Sequence, residues 1–208
     1  DALGLSSTGL DVLRSYQELI HELIKEAIHP QTAQAVYGLA MMLERGILYS
    51  PPIAPALWRQ ISLDLSELAK LNLGMAYGEA LPPRVYLLAG VISLLGLPLG
   101  IGQGNNPTCQ SARAIAMWSY NDPDFLLHLI AQAASFDGIV MHFEGRRILS
   151  GALSDGLSPY VPLDTDPVSV VLVPQLDRVY AEMGRLCAPR SQDPHRWINP
   201  EFHGWWVG

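Results

Sequence analysis

Lysine is nearly missing from this chain. Of its 13 basic residues only Lys25 and Lys70 are lysines, and charged residues make up 16% of the 208 positions, against about a quarter in an average soluble protein. The formal net charge is −7. Such a chain lacks the basic surface that follows phosphates or adheres to an anionic bilayer, so no nucleic-acid partner is expected. Cysteine is scarce as well. Cys109 and Cys187 are the only two, too few for a disulfide framework, although one bridge between them is possible. A long unbroken hydrophobic run is also lacking. The stretch from Val85 to Gly102 is uncharged, but Gly96, Pro98, Gly100 and Gly102 interrupt its far half. Its helical part falls short of the ~20 residues a bilayer span needs, and no membrane span is expected. No Gly-Lys-Ser/Thr phosphate loop follows Gly100-x-Gly102-x-Gly104, which leaves only a weak case for an anion site there. His21-Glu22-Leu23-Ile24-Lys25 has a lysine where a zinc helix needs its second histidine. Neither a metal nor an organic cofactor is expected. No secretory signal opens the chain, and a start at Asp1 leads us to expect a processed or excised piece; the compartment stays open.

What is present is apolar: 49% of the residues are hydrophobic, enough to offset the entropy of ordering the chain. The length suits one domain, residues 1–208, divided into a helical subdomain (1–80), a core (81–187) and a tryptophan-rich tail (188–208). Helical spacing runs from Leu10 to Ile28 behind a capping box at Thr8–Asp11 and stops at Pro30. Further helices are expected over Gln31–Arg45, stopped by Gly46, and over Ala56–Leu71. An apolar helix is expected from Pro82–Pro83 to about Leu97, then helices over Cys109–Ser119 and from Asp122-Pro123 to Ser135. Alternation over Ile139–Glu144, with Gly145 turning back into 146–151, predicts a hairpin. A third strand is expected over Val168–Val173, followed by a helix from Pro174 to Leu186. The fold class is therefore α+β, a helical first half with a small antiparallel sheet.

The local feature with most chemical content is Gln103-Gly104-Asn105-Asn106-Pro107-Thr108-Cys109. It is a glycine-rich loop that delivers a thiol to the first turn of a helix. Unsatisfied N–H groups and the positive dipole end favour thiolate there, and a nearby histidine lowers the thiol pKa further. The Gln103 side-chain NH₂ and the Cys109 backbone N–H are candidate donors to a developing oxyanion. This run resembles the papain-like cysteine peptidases, in which an oxyanion-hole glutamine precedes the nucleophile by six residues and the nucleophile opens a buried helix. Trp118 lies farther along the helix. The resemblance covers about 16 residues and departs at Gln110, where the family carries an aromatic. The order of helix-capping Cys109, strand residue His142 and a following acid resembles the transglutaminase-like branch. It implies His142 as base and Asp155 as the acid that orients it, with Glu144 a nearer substitute. The peptidase-like arrangement instead implies His203 as base, or His195, with Asn199 as orienter. His128, among helical leucines, is expected to be structural. Cys187, at a helix C-terminus where the dipole opposes thiolate, is expected to be inert.

Two functions follow from these residues. One is a cysteine-nucleophile hydrolase or acyltransferase acting on an amide, thioester or isopeptide bond of a protein, peptide or acyl substrate. The other is a noncatalytic helical docking module that covers its surplus apolar surface and tryptophan tail with a partner chain or a second copy.

Overall fold

The computed structural model describes residues 3–101, 109–154, 156, 166–190, 193 and 195–198. Among these the chain is mostly helical, with one two-stranded antiparallel sheet. The class is α+β.

The first helical stretch is two helices, α1 (Ser7–Ser15) and α2 (Gln17–Ala27), which break at Tyr16. The start is capped by Ser6, whose Oγ accepts from the Gly9 N–H at 3.3 Å, and not by the Thr8–Asp11 box. Glu44 fixes the cap by accepting from the Ser6 N–H at 2.6 Å. A 3₁₀ turn, Pro30–Thr32, replaces the start of the next expected helix, and Thr32 Oγ1 donates back to Ala27 O at 2.7 Å. Helix α3 (Ala35–Glu44) follows and ends just before Gly46, whose φ of +63° makes the left-handed stop that only glycine adopts cheaply.

The helix expected over Ala56–Leu71 is also two, α4 (Ile53–Ile61) and α5 (Glu67–Tyr77). The link between them is tied to the end of a later helix. Ser66 N–H donates to Ala134 O at 2.9 Å, Ser135 Oγ donates to Asp64 O at 2.6 Å, and Ser66 Oγ bonds Asp137. These tertiary bonds replace helical ones.

Helix α6 (Pro83–Gly96) lies at the centre. Beyond Arg84 it carries no charge, and eleven of its residues are buried, as expected of a helix that is apolar all round. Helices α2, α3, α5 and, farther along the chain, α7 (Cys109–Asn121) and α9 (Pro167–Cys187) pack around it. Its closest partner is α3. A Cβ built on Gly96 would sit 2.1 Å from Gly38 O, and one on Gly38 would sit 2.5 Å from Ser93 Cα. The two backbones touch there because neither glycine has a side chain.

Helix α8 (Pro123–Phe136) begins as expected, with Asp122 accepting from the Phe125 N–H at 3.2 Å and Pro123 in the first turn. Asp137 ends it in a left-handed conformation (φ 52°). The hairpin also forms as expected: β1 (Val140–Phe143) pairs antiparallel with β2 (Arg146–Leu149), Met141 opposite Ile148 and His142 opposite Arg147. Its two turn residues, Glu144 and Gly145, both have positive φ (48° and 75°), the geometry of a tight primed turn that follows the strand twist. Ser150 holds the hairpin to α9. Its Oγ accepts from the Ile139 N–H at 2.8 Å and donates to Gln175 Oε1 at 2.7 Å.

The expected third strand is not a strand. Val168–Val173 is the first part of α9, one helix of 21 residues that continues through Pro174. Asp166 caps it, accepting from the Ser169 N–H at 3.0 Å, and Pro167 takes the first position. A short helix, α10 (His195–Ile198), lies in the tail. One apolar cluster runs through the chain from Val12 to Met183. Among the described residues, no helix is long and apolar enough to cross a membrane.

Candidate functional site

Cys109 is the first residue of α7, and it is exposed. The helix behind it is firmly held. Ser111, Ala112, Ala114, Ile115 and Ser119 are buried, and Ser119 Oγ donates to Leu94 O of α6 at 2.8 Å. Trp118 packs edge-on against Phe125 of α8, with centroids 5.3 Å apart and an 82° interplanar angle. A rigid 13-residue helix thus presents the thiol at its N-terminal turn, where the backbone dipoles favour an anion.

Cys187 contrasts with it. It is the last residue of α9, fully buried, and burial is the main cause that pushes its thiol up. Glu144 adds to that effect and Arg190 opposes it. Both cysteines are free, so the possible bridge is not formed.

His142 lies on the outward face of the hairpin and is exposed, with Arg147 as its cross-strand partner. The alternate residues Met141 and Phe143 pack against the core, as the alternation implied. Among the described residues no side-chain hydrogen bond joins Cys109 to His142. Glu144 is committed elsewhere. Arg190 donates to both its carboxylate oxygens, Nη1 to Oε1 at 2.5 Å, and holds the carboxyl below its usual range. The nearer substitute for Asp155 is therefore already paired. Arg190 also lies over the ring of Trp197, 5.5 Å from its centroid, which joins the tail to the hairpin turn. His128 is exposed on α8 rather than packed among its leucines. Gln103, Asp155, Asn199 and His203 lie outside the described residues, as do the side chain of His195 and the tryptophans Trp205 and Trp206.

Gln110 follows Cys109 in the first turn of α7. Its side-chain nitrogen is buried and has no hydrogen-bond partner among the described residues. A buried donor without an acceptor costs about 1–3 kcal/mol, and this one sits next in sequence to the exposed thiol. Among the described residues no group of three or more His, Cys, Asp or Glu side chains is placed to hold a metal ion. Compared with known proteins, the chain matches no family model, no curated sequence and no solved structure.

Proposed function

We propose that the chain is a cysteine-nucleophile hydrolase or acyltransferase acting on an amide, thioester or isopeptide bond. The observation that carries this reading is the contrast between the two thiols: Cys109 is exposed on the first turn of a well-anchored helix, while Cys187 is buried and pushed toward the neutral form. In this reaction Cys109 Sγ attacks the carbonyl carbon and forms a tetrahedral intermediate. Collapse expels the amine or thiol and leaves a thioester on Cys109, which water or an amine then resolves. His142 takes the thiol proton and returns it to the leaving group, and Asp155 fixes the imidazole tautomer. Gln103 and the Cys109 N–H donate to the oxyanion. His203 with Asn199 is the alternative base pair.

Iodoacetamide alkylation against pH, read residue by residue by mass spectrometry, tests this. Cys109 is expected to react well below pH 8 while Cys187 stays unlabelled in the folded protein. His142→Ala, or His203→Ala if that is the base, is expected to move the Cys109 profile upward. A Cys109 profile that follows a free thiol near 8.5 in wild type and both variants would refute the reading.

A second reading, a docking module without catalysis, is favoured by the exposed apolar side chains on helices and turns. Leu99 is 92% exposed, Tyr120 68%, Leu71 58% and Met75 57%. That reading predicts normal, slow labelling of Cys109 together with saturable binding of a partner chain.

A further inference from the structure

At the end of α7 away from Cys109, the ends of α3, α6 and α7 enclose an open groove of about 710 Å³. That volume lies within the ~300–1,000 Å³ typical of small-molecule sites. Met41, Ile47, Leu97, Pro98, Leu99 and Tyr120 make its walls. Arg45 is the one charged residue among the described lining residues. Its guanidinium bonds two backbone carbonyls, Leu95 O and Ser119 O, the second at 3.1 Å, and lies 5.5 Å from the Tyr120 ring centroid. These contacts aim the head at the C-terminal turns of α6 and α7 and keep it against an apolar wall. No carboxylate among the described residues pairs with it. Guanidinium has five N–H donors in a planar fork suited to a carboxylate. Two backbone carbonyls leave donors over, and burial works against the charge.

We infer that this groove binds a small amphiphile with a carboxylate head and an unbranched acyl tail, the head on Arg45 and the tail along Met41, Leu97 and Leu99. A peptide fits less well. Each of its residues brings a backbone N–H and C=O that need partners, whereas among the described residues the side chains of this groove supply only the Arg45 fork and the Tyr120 hydroxyl. An acyl tail carries no such groups. The tail would also cover Leu99, which is 92% exposed and forms the lip of the groove.

The test uses laurate, dodecanol and dodecyltrimethylammonium as probes, the two ionic ones kept below their micelle concentrations and dodecanol below its solubility limit, with the full chain in a calorimetric titration. Laurate is expected to bind and to raise the melting temperature. Dodecanol is expected to bind at least tenfold more weakly, and the ammonium amphiphile not at all. Arg45→Gln is expected to weaken laurate binding at least tenfold. Because Arg45 also fastens two helix ends, Leu99→Asp serves as a second variant: at an exposed lip residue it leaves the fold intact and is expected to abolish laurate binding. Equal affinity for laurate and dodecanol, no laurate binding, or unchanged binding by folded Leu99→Asp would each overturn the proposal.

Discussion

A single methyl group added at Gly96 tests the packing at the centre of the molecule. The Cβ of alanine would stand 2.1 Å from Gly38 O and 2.8 Å from Gly38 C, where ordinary contact begins at 3.4 Å. Both neighbouring atoms are backbone, so no rotamer change relieves the clash, and α3 must shift by roughly 1 Å against α6. Overpacking of a close-packed interior costs about 1–3 kcal/mol, and this case, backbone against backbone, belongs at the upper end. Better helix propensity returns up to about 1 kcal/mol. The net expectation for Gly96→Ala is a loss of about 2 kcal/mol or more, which for a chain of this size lowers the melting temperature by roughly 4–8 °C. Gly74→Ala is the control. Gly74 also lies in a helix, but a Cβ there meets nothing within 4 Å, so the same substitution should stabilise by about 0.5–1 kcal/mol. Urea titration of both variants, with slopes compared to confirm a common transition, reads the difference. A neutral or stabilising Gly96→Ala would refute the close approach of α3 and α6.

Two further substitutions probe polar contacts. Gln110→Leu removes a buried nitrogen that has no partner among the described residues at nearly constant volume, and a gain of about 1 kcal/mol in stability is expected; a loss would mean that the amide has a partner in solution. Glu26 accepts from Arg84 Nη2 at 2.8 Å, and this hydrogen bond is the main cause holding its carboxyl below the usual range. The contribution of the pair is therefore complete above the unfolded carboxylate value of about 4.3 and is lost as pH falls through the lower folded value. Glu26→Gln should flatten the acid side of a plot of urea midpoint against pH, and an unaltered acid side would exclude the pair as a source of it.

Much of the fold was legible where local signals and tertiary packing agree. The absence of charge after Arg84 located α6, Asp122-Pro123 located the start of α8, and Gly145 located the hairpin turn. Where tertiary contacts decide, the sequence pattern misled. The apolar phase runs through Tyr16 and through 62–66 without interruption, yet the chain breaks there, at 62–66 because Ser66 and Asp64 bond the end of α8. Val168–Val173 looked like a strand because a short β-branched apolar run buried on several sides has no period to read. The deciding signal was the Asp166-Pro167 helix start just before it. At the site, the place of Cys109 at the start of α7 was legible from the loop-to-helix junction. Whether a histidine approaches its thiol was not, because that depends on how distant segments pack, and residue spacing carries no record of it.

The most direct test of the proposed chemistry is acyl transfer to the thiol itself. The chain is mixed with p-nitrophenyl acetate, release of nitrophenolate is followed, and the quenched protein is mapped by mass spectrometry. A burst stoichiometric with protein, one acetyl group on Cys109 that then turns over, none on Cys187, and loss of the burst in Cys109→Ser are expected. Release no faster than in the Cys109→Ser variant, with no acetyl group at position 109, would contradict a catalytic cysteine.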